Sequence, residues 1–401
     1  MSKSKSTSFA TRAVHSGERT KSGNFTPVST PIHMSVGYLY ESMDEVDAIF
    51  AGTQSGYVYP RYGSPTVKAF EDVIADLENG EAAHAFATGM AALHVALLAA
   101  GVKAGASVVA AFDLYGATFS LLRNLFNTLG AQIHFVDAAN VQNVALALAE
   151  YHPVALLVET ISNPLVKVAD LPALGKLAHQ YGARFLVDNT FASPLLVNPI
   201  DFGADFVIHS ATKYIGGHGD LMAGVVISSL ENRVKMYELN KLVGSTIGPF
   251  EAWLAMRGVK TMPLRVRRQC ESSAKVAKWL SVHPKVAKVN YPGLPEHPQH
   301  AIAAEMFGDK GFGGVLSFEI RGANQADAFR FMEKLELCLP ATTLGDIYSL
   351  VLHPATSSHR ALSPAEREQI GIPDGLIRLS VGIEGTEDII ADLSQALESV
   401  A

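Results

Sequence analysis

The feature that most constrains the fold is a regular alternation of short apolar runs with helical runs between residues 106 and 229. Runs such as VALLVET and ARFLVD are apolar at successive positions, which is typical of strands buried on both faces. Strands of this kind that alternate with helices form a mostly parallel sheet covered by helices. We therefore predict an α/β fold, with strands at 106–112, 131–137, 154–160, 183–188, 204–210 and 223–229.

The whole chain, at 401 residues, is longer than one ordinary domain. Residues 1–60 are rich in Ser, Thr, Gly and Pro, and they predict an extended arm with one helix at 42–52 capped by Ser42. Residues 61–255 hold the predicted sheet and a helix that ends at Gly80. A long helix at about 261–282 opens a smaller α+β domain, predicted to span 256–401.

Composition and charge bear on the partners and the cellular location to be expected of this protein. A net charge of −7 argues against nucleic acid as a partner, and the cluster Arg265, Arg267 and Arg268 is interpreted as a solvated helix face. The N-terminus has no apolar core of a signal peptide, and no apolar run approaches the length of a bilayer span. Two cysteines suit a reducing compartment, so we expect a cytoplasmic protein without membrane contact.

Metal chemistry has little support in the sequence. The histidines lack an HExxH pattern, and there is no paired CxxC. His209 lies within a predicted strand, where a hydrogen-bonded core histidine is the simpler interpretation. We therefore assign no metal ligands.

Chemically useful side chains follow the predicted strands at their carboxyl ends, which is where open α/β sheets bind ligands. They are Tyr115, Asn163, Asp188, Ser210, Thr212 and Lys213. A single strand-end aspartate commonly caps a helix, and a single lysine is commonly a surface charge. The combination instead suits a planar, anionic cofactor that has an aldehyde and a ring nitrogen. Lys213 would form a Schiff base, Asp188 would hold the ring nitrogen protonated, and Tyr115 would stack on the ring.

The segment ATGMAA predicts an anion site for the same cofactor. It places Thr88, Gly89 and Met90 at the start of a helix, where free N–H groups and the helix dipole favour a phosphate. Ser210 and Thr212 can add hydroxyl donors. The Gly-Lys-Ser/Thr of a Walker loop is absent from this segment.

These motifs resemble a known family. HSATKYIGGHGD, VETISNP and VDNTF, together with YPRYGSPT and LIRLSVG, resemble the pyridoxal-phosphate (PLP)-dependent Cys/Met metabolism enzymes, also called the trans-sulfuration family. The family includes cystathionine γ-synthase, cystathionine γ- and β-lyases, methionine γ-lyase and the homoserine sulfhydrylases. The resemblance implies PLP as cofactor, the aspartate-aminotransferase-like fold (fold type I), and a homotetramer built from two dimers.

The resemblance also implies roles for individual residues. Lys213 corresponds to the Schiff-base lysine, Asp188 to the partner of the pyridinium nitrogen, and Tyr115 to the stacking tyrosine. The residues that match the phosphate cup are Gly89, Met90, Ser210 and Thr212. The family donates a tyrosine–arginine pair to the neighbouring subunit's phosphate, and Tyr59 and Arg61 match it. Arg378, aided by Asn163 and the Thr343 backbone, matches the arginine that binds the substrate α-carboxylate.

The implied reaction is γ-replacement or γ-elimination on sulfur amino acids or activated homoserine esters, as in cystathionine γ-synthase or γ-lyase. Methionine γ-lyase and a homoserine-ester sulfhydrylase are the alternatives, and an aminotransferase is a weaker one. A non-catalytic scaffold would not need the set Lys213, Asp188, Tyr115 and Arg378. This chain departs from the family pattern at Ser64, usually Asn, and at Thr342, where many γ-lyases have glutamate. Ala117 replaces a cysteine typical of methionine γ-lyases, which favours the cystathionine-type enzymes.

Overall fold

The fold was analysed in a computed structural model, which describes residues 7–21, 23–360 and 362–400. The predicted arm therefore includes seven positions, 1–6 and 22, that lie outside the described residues. Residues 361 and 401 of the predicted small domain also lie outside them.

The core of the described chain is a seven-stranded sheet. Its strands are β1 (Ala82–Phe86), β2 (Ser107–Ala111), β3 (Gln132–Val136), β4 (Ala155–Glu159), β5 (Arg184–Asp188), β6 (Phe206–Ser210) and β7 (Gly224–Ser228). The order across the sheet is β1-β7-β6-β5-β4-β2-β3. Strands β2 to β6 are parallel, whereas β7 runs antiparallel to both β6 and β1. The predicted mostly parallel sheet is confirmed.

All six predicted strands are present, with ends within two residues of those expected. The sequence analysis missed β1, because AAHAF contains three alanines and no β-branched residue. It becomes a strand because β7 offers it a full ladder of partners, from Ala82–Ser228 to Phe86–Gly224.

Helices cover this sheet and connect its strands. They are α1 (Phe9–His15), α2 (Met43–Phe50), α3 (Pro65–Leu77), α4 (Gly89–Ala99), α5 (Gly116–Ser120), α6 (Val141–Tyr151), α7 (Leu171–Gln180), α8 (Ser193–Leu196), α9 (Leu230–Val243), α10 (Pro249–Val259) and α11 (Met262–Ser281). Helix α2 is capped as predicted, since the Ser42 side chain accepts a hydrogen bond from Glu45 N. None of the described helices combines the length and apolarity needed to cross a bilayer.

The C-terminal part of the described chain forms a second, five-stranded sheet. It comprises β8 (Val286–Asn290), β9 (Val315–Ile320), β10 (Leu339–Pro340), β11 (Leu350–Leu352) and β12 (Leu376–Ser380), in the order β10-β11-β12-β9-β8. The helices of this part are α12 (His300–Phe307), α13 (Gln325–Glu333), α14 (Pro364–Ile370) and α15 (Thr386–Glu398). Strands β11, β12, β9 and β8 pair antiparallel, as is usual in an α+β arrangement.

Two local predictions were wrong. Helix α3 ends at Leu77 rather than Gly80, because Asn79 adopts a left-handed backbone (φ 58°). Gly80 instead allows close packing, since a Cβ there would lie 2.1 Å from Ile227 Cγ2. Arg265 is not on a solvated face: it is buried, and its guanidinium donates to the carbonyl oxygens of Tyr214 and Gly258 at 2.9 and 2.8 Å.

Candidate active site

A cavity of about 430 Å³ opens at the carboxyl edge of the parallel strands. Its lining includes nine of the residues selected from the sequence: Gly89, Met90, Tyr115, Asn163, Asp188, Ser210, Thr212, Lys213 and Arg378. They come from chain segments up to 289 positions apart, from Gly89 to Arg378. The fold thus gathers into one cavity the residues expected there from the strand-end rule and from the family resemblance.

Lys213 lies in the turn that follows β6. Its Nζ donates a hydrogen bond of 2.8 Å to the hydroxyl of Thr343. Burial lowers the pKa of Lys213, and the nearby positive charge of Arg378 lowers it further. Arg265 holds the turn from behind through the carbonyl of Tyr214, the next residue. The neutral, nucleophilic form of the lysine amine is therefore more populated here than in an exposed lysine.

Asp188 is the last residue of β5, and its carboxylate is held by Thr190. The Thr190 N–H donates to Asp188 Oδ1 at 3.0 Å, and the Thr190 hydroxyl also bonds the carboxylate. The same hydroxyl accepts a hydrogen bond from Ser210 N at 2.9 Å. Burial raises the pKa of Asp188. A cationic ring N–H would offset this cost, so the site suits a protonated pyridine nitrogen.

Arg378 points into the cavity from β12 of the C-terminal sheet. Its Nη1 donates to Asn163 Oδ1 at 3.1 Å, and its Nη2 donates to the Thr343 carbonyl at 3.0 Å. Its Nε is buried and has no hydrogen-bond partner among the described residues. Burial lowers the pKa of Arg378 to about 10, which leaves it charged at neutral pH. An oriented guanidinium with an unused donor is the arrangement that binds a carboxylate.

The start of α4 forms a cradle for an anion. The Thr88 side chain caps the helix by accepting from Ala91 N, and the N–H groups of Gly89 and Met90 belong to the first turn, which has no intrahelical acceptor for them. A Cβ at Gly89 would lie 2.8 Å from Ser210 Cβ, so only glycine lets α4 approach β6 this closely. The Thr212 hydroxyl accepts from Ala223 N at 3.0 Å, and this bond orients it beside the cradle.

Three predicted residues are placed differently from the rest. Thr343 contacts both Lys213 and Arg378 from behind the lining. Tyr59 and Arg61 do not line the cavity of their own chain. The Arg61 guanidinium lies 5.3 Å from the Tyr59 ring centroid, and its Nη1 donates to the Lys241 carbonyl at 3.0 Å.

The sequence analysis overlooked Glu159, Thr190, Ser357 and Ser358, all of which line the cavity. Glu159 carries the signal that identified Asp188, a carboxylate at the end of an apolar strand, and could have been found in the same way. Thr190 lies two residues after Asp188 in the quoted VDNTF motif. The two serines follow β11 in an irregular segment, where no sequence pattern indicated a position near the site.

No group of three or more His, Cys, Asp or Glu residues within the described chain is arranged to hold a metal ion. His209 is a core histidine, as predicted: it is buried, and its Nε2 lies 2.5 Å from Glu78 Oε1. Cys270 and Cys338 are both buried.

A lysine with a lowered pKa, a buried strand-end carboxylate, a helix-terminal anion cradle and an aromatic ring in one cavity fit PLP. The fold and the cavity together define a PLP-dependent enzyme of the α/β class. The chain belongs to the family described as "Cys/Met metabolism PLP-dependent enzyme", whose sequence profile matches residues 10–398. The predicted family, fold class and cofactor are thereby confirmed.

Relatives with known names match this chain over nearly its full length. The chain is 41% identical over 395 residues to an L-methionine γ-lyase of Fusobacterium nucleatum subsp. polymorphum, which covers 98% of each chain. It is 39% identical over 393 residues to a cystathionine β-lyase of Lactococcus lactis subsp. cremoris, covering 98% of this chain and 99% of that one. Among solved structures, cystathionine γ-lyase from Lactobacillus plantarum superposes with a TM-score of 0.91 at 36% identity, covering 98% and 99%.

Proposed function

We propose that this enzyme uses PLP to eliminate or replace the γ substituent of a sulfur amino acid or an activated homoserine ester. The observation that carries the proposal is the single cavity that holds Lys213, Asp188, Tyr115 and Arg378. Family membership supports the class of chemistry, and the named relatives act on methionine or cystathionine.

In this proposal each residue has a defined task. PLP, when bound, supplies an aldehyde for the substrate amine and a ring that takes up the electrons released at Cα. Asp188 holds the ring nitrogen protonated, and Tyr115 lies against the ring. Arg378 binds the α-carboxylate with Asn163 beside it. Lys213 takes the proton from Cα and delivers protons farther along the substrate chain.

The remaining tasks concern the phosphate. Gly89, Met90, Ser210 and Thr212 bind it from within the chain. Tyr59 and Arg61 would reach the phosphate of a neighbouring subunit, which is consistent with their position away from their own cavity. The assembly we propose is the family's homotetramer of two dimers. Two buried cysteines without disulfides are compatible with the cytoplasm as its location.

The lining of the cavity favours one group of substrates within the class. Its charged residues are Glu159, Asp188, Lys213 and Arg378, counted over the described part of a single chain. Lys213 serves the cofactor and Arg378 serves the α-carboxylate, so a cation for a second carboxylate, as in cystathionine, would have to come from the neighbouring subunit. Substrates with an uncharged γ substituent, such as methionine or O-acetylhomoserine, fit this lining. Methionine γ-elimination is therefore the second candidate beside the cystathionine-type reactions, despite Ala117.

A panel of assays tests the proposal. The purified enzyme is given methionine alone, cystathionine alone, and O-acetyl- or O-succinylhomoserine with cysteine and then with sulfide. We expect 2-oxobutanoate and ammonia from the thioethers, or γ-replacement products from the esters: a thioether with cysteine and a thiol with sulfide, with the ester's carboxylic acid released in both cases. The ratio of methionine turnover to cystathionine turnover tests whether the cavity lining favours substrates with an uncharged γ substituent. Pyruvate from cystathionine would instead indicate β-cleavage, and a 2-oxo acid formed only in proportion to an added acceptor would indicate an aminotransferase. Lys213→Ala, the control, should lose the visible absorbance of the lysine-bound cofactor.

A further inference from the structure

Glu159 is a buried carboxylate of the cavity to which the proposed reaction gives no task. It is the last residue of β4, and in the sheet it pairs in register with Asp188 at the end of β5. The two carboxylates therefore lie side by side at the same edge. Burial raises the pKa of Glu159 well above its usual range, and the charge of Asp188 adds to this effect. An acid kept here against such a cost needs a structural or functional reason.

Both oxygens of Glu159 accept hydrogen bonds from backbone N–H groups. Tyr115 N donates to Oε1 at 2.6 Å, and Asn163 N donates to Oε2 at 3.2 Å. Tyr115 belongs to the loop after β2, whereas Asn163 belongs to the loop after β4. One carboxylate thus joins two loops that carry different parts of the site. A carboxyl group can offer one oxygen to each of the two N–H donors, whereas an amide side chain has a single accepting oxygen.

The backbone beside Tyr115 is also restricted by a second segment, the one after β11. A Cβ on Gly116 would lie 2.0 Å from the Ser358 carbonyl oxygen, so the loop after β2 runs closely against the segment after β11. The Tyr115 side chain itself is 43% exposed in the single chain, and packing within the chain does little to hold its ring. The position of the ring therefore depends on where its backbone is held.

We propose that Glu159 is a positioning residue whose carboxylate clamps the backbone of Tyr115 and Asn163. The clamp fixes the Tyr115 ring in the cavity lining and the Asn163 side chain beside Arg378, which donates to its amide oxygen. The proposal rests on the cofactor binding in this cavity, as proposed above. Glu159 does not touch the reacting atoms and acts through these two neighbours.

The test compares variants of Glu159 with a matched carboxylate elsewhere. Glu159→Gln keeps the length and loses one acceptor, whereas Glu159→Asp keeps the charge and loses the reach. Asp392 is the control, because it also accepts bonds from backbone N–H groups, those of Glu336, Leu337 and Cys338, but lies outside the cavity lining. For each holoenzyme we would measure visible circular dichroism, kcat and KM, and the thermal midpoint.

We expect both Glu159 variants to retain the visible absorbance of the lysine-bound cofactor and to change its circular dichroism, because the neighbouring ring has moved. Their kcat should fall roughly 10- to 100-fold, as expected for a misplacement of about 1 Å in a catalytic site. Asp392→Asn should lower the thermal midpoint and leave the dichroism and kcat of the folded enzyme unchanged. Glu159 variants with wild-type dichroism and kcat would overturn the proposal, and so would Asp392→Asn producing the same dichroism change. If Lys213→Ala kept the visible absorbance, the cofactor placement itself would be wrong.

Discussion

At the scale of single residues, burial and neighbouring charge determine how Lys213 behaves. Burial disfavours the ammonium form of Lys213, and Arg378 disfavours it further, so the pKa of Lys213 lies below that of an ordinary lysine. Arg378 stays charged at neutral pH because burial lowers its pKa only to about 10, and Asn163 and the Thr343 carbonyl accept its hydrogen bonds. The arginine that we propose for the substrate carboxylate therefore also tunes the lysine.

This coupling predicts the effect of Arg378→Gln on pH dependence. Removing the positive charge stabilises the Lys213 ammonium and raises its pKa. Since the neutral amine attacks the PLP aldehyde, the rate of PLP capture by the apoenzyme should rise with pH, and the midpoint of that rise should move to higher pH in the variant. The measurement is the growth of visible absorbance after PLP is added at a series of pH values.

The same substitution should raise KM roughly 100-fold, because truncating a buried charged partner costs about 2–5 kcal/mol. Arg330→Gln is the matched control, since Arg330 is an exposed arginine paired with Asp327. An unchanged or acid-shifted midpoint for Arg378→Gln would contradict the coupling.

At the scale of elements, close contact between α4 and the ends of β6 and β7 shapes the anion cradle. A Cβ at Gly224 on β7 would lie 2.2 Å from the Thr88 carbonyl oxygen. A Cβ at Gly89, at the start of α4, would lie 2.8 Å from Ser210 Cβ on β6. Glycine at both positions lets the helix N-terminus sit against the strand ends, where its N–H groups face the cavity.

Gly89→Ala should therefore reduce the affinity for the PLP phosphate more than it reduces the free energy of unfolding. We expect the affinity of the apoenzyme for PLP to fall at least about tenfold, since a loss of 1.4 kcal/mol suffices for that. The affinity for pyridoxal, which lacks the phosphate, should change little. Gly37→Ala is the control, because a Cβ there meets nothing within 4 Å. An equal loss of affinity for PLP and pyridoxal would show that the substitution disturbs the Lys213 end of the cavity instead.

At the scale of the whole molecule, the arm carries exposed apolar side chains that suit contact with another subunit. Leu39, Met43 and Phe25 are largely exposed, as are Leu242 and Val243 at the end of α9. Contiguous exposed apolar surface is typical of protein–protein interfaces, so we expect these side chains to contact the neighbouring subunit that we propose. Tyr59 lies at the end of the same arm and Arg61 directly follows it, and both lie away from their own cavity.

Mixing two inactive variants tests whether the active site is shared. Arg61→Ala subunits keep Lys213, and Lys213→Ala subunits keep Arg61, so a hybrid dimer has one complete site. With random exchange, activity should recover to roughly a quarter of the wild-type value, because half of the dimers are hybrids with one of two sites complete. The measurement is activity after mixing and subunit exchange, with exchange verified by differently tagged chains. Verified exchange without recovery would mean that each site is built by one chain.

The predicted division of the chain at 60/61 and 255/256 stays a prediction. Helix α11 contributes Val266 to the apolar cluster under the large sheet and Val276 to the cluster under the small one. One continuous helix therefore serves both cores, whereas the boundary predicted at 255/256 falls within α10 (Pro249–Val259).

The sequence by itself determined the features that depend only on neighbouring residues along the chain. Apolar runs of the right length specified the six strands, and the strand-end rule selected Asp188, Ser210 and Lys213, because a residue's place at the end of its own strand is a local property. The tertiary structure alone decided what depends on partners distant in the chain. AAHAF is a strand because β7 pairs with it, and Arg265 is buried because distant carbonyls accept its hydrogen bonds. Glu159 meets Tyr115 across 44 positions, whereas the Arg378–Asn163 contact across 215 positions was expected from the family resemblance alone. No local pattern encodes such contacts, since they form only when packing of the whole chain brings the two segments together.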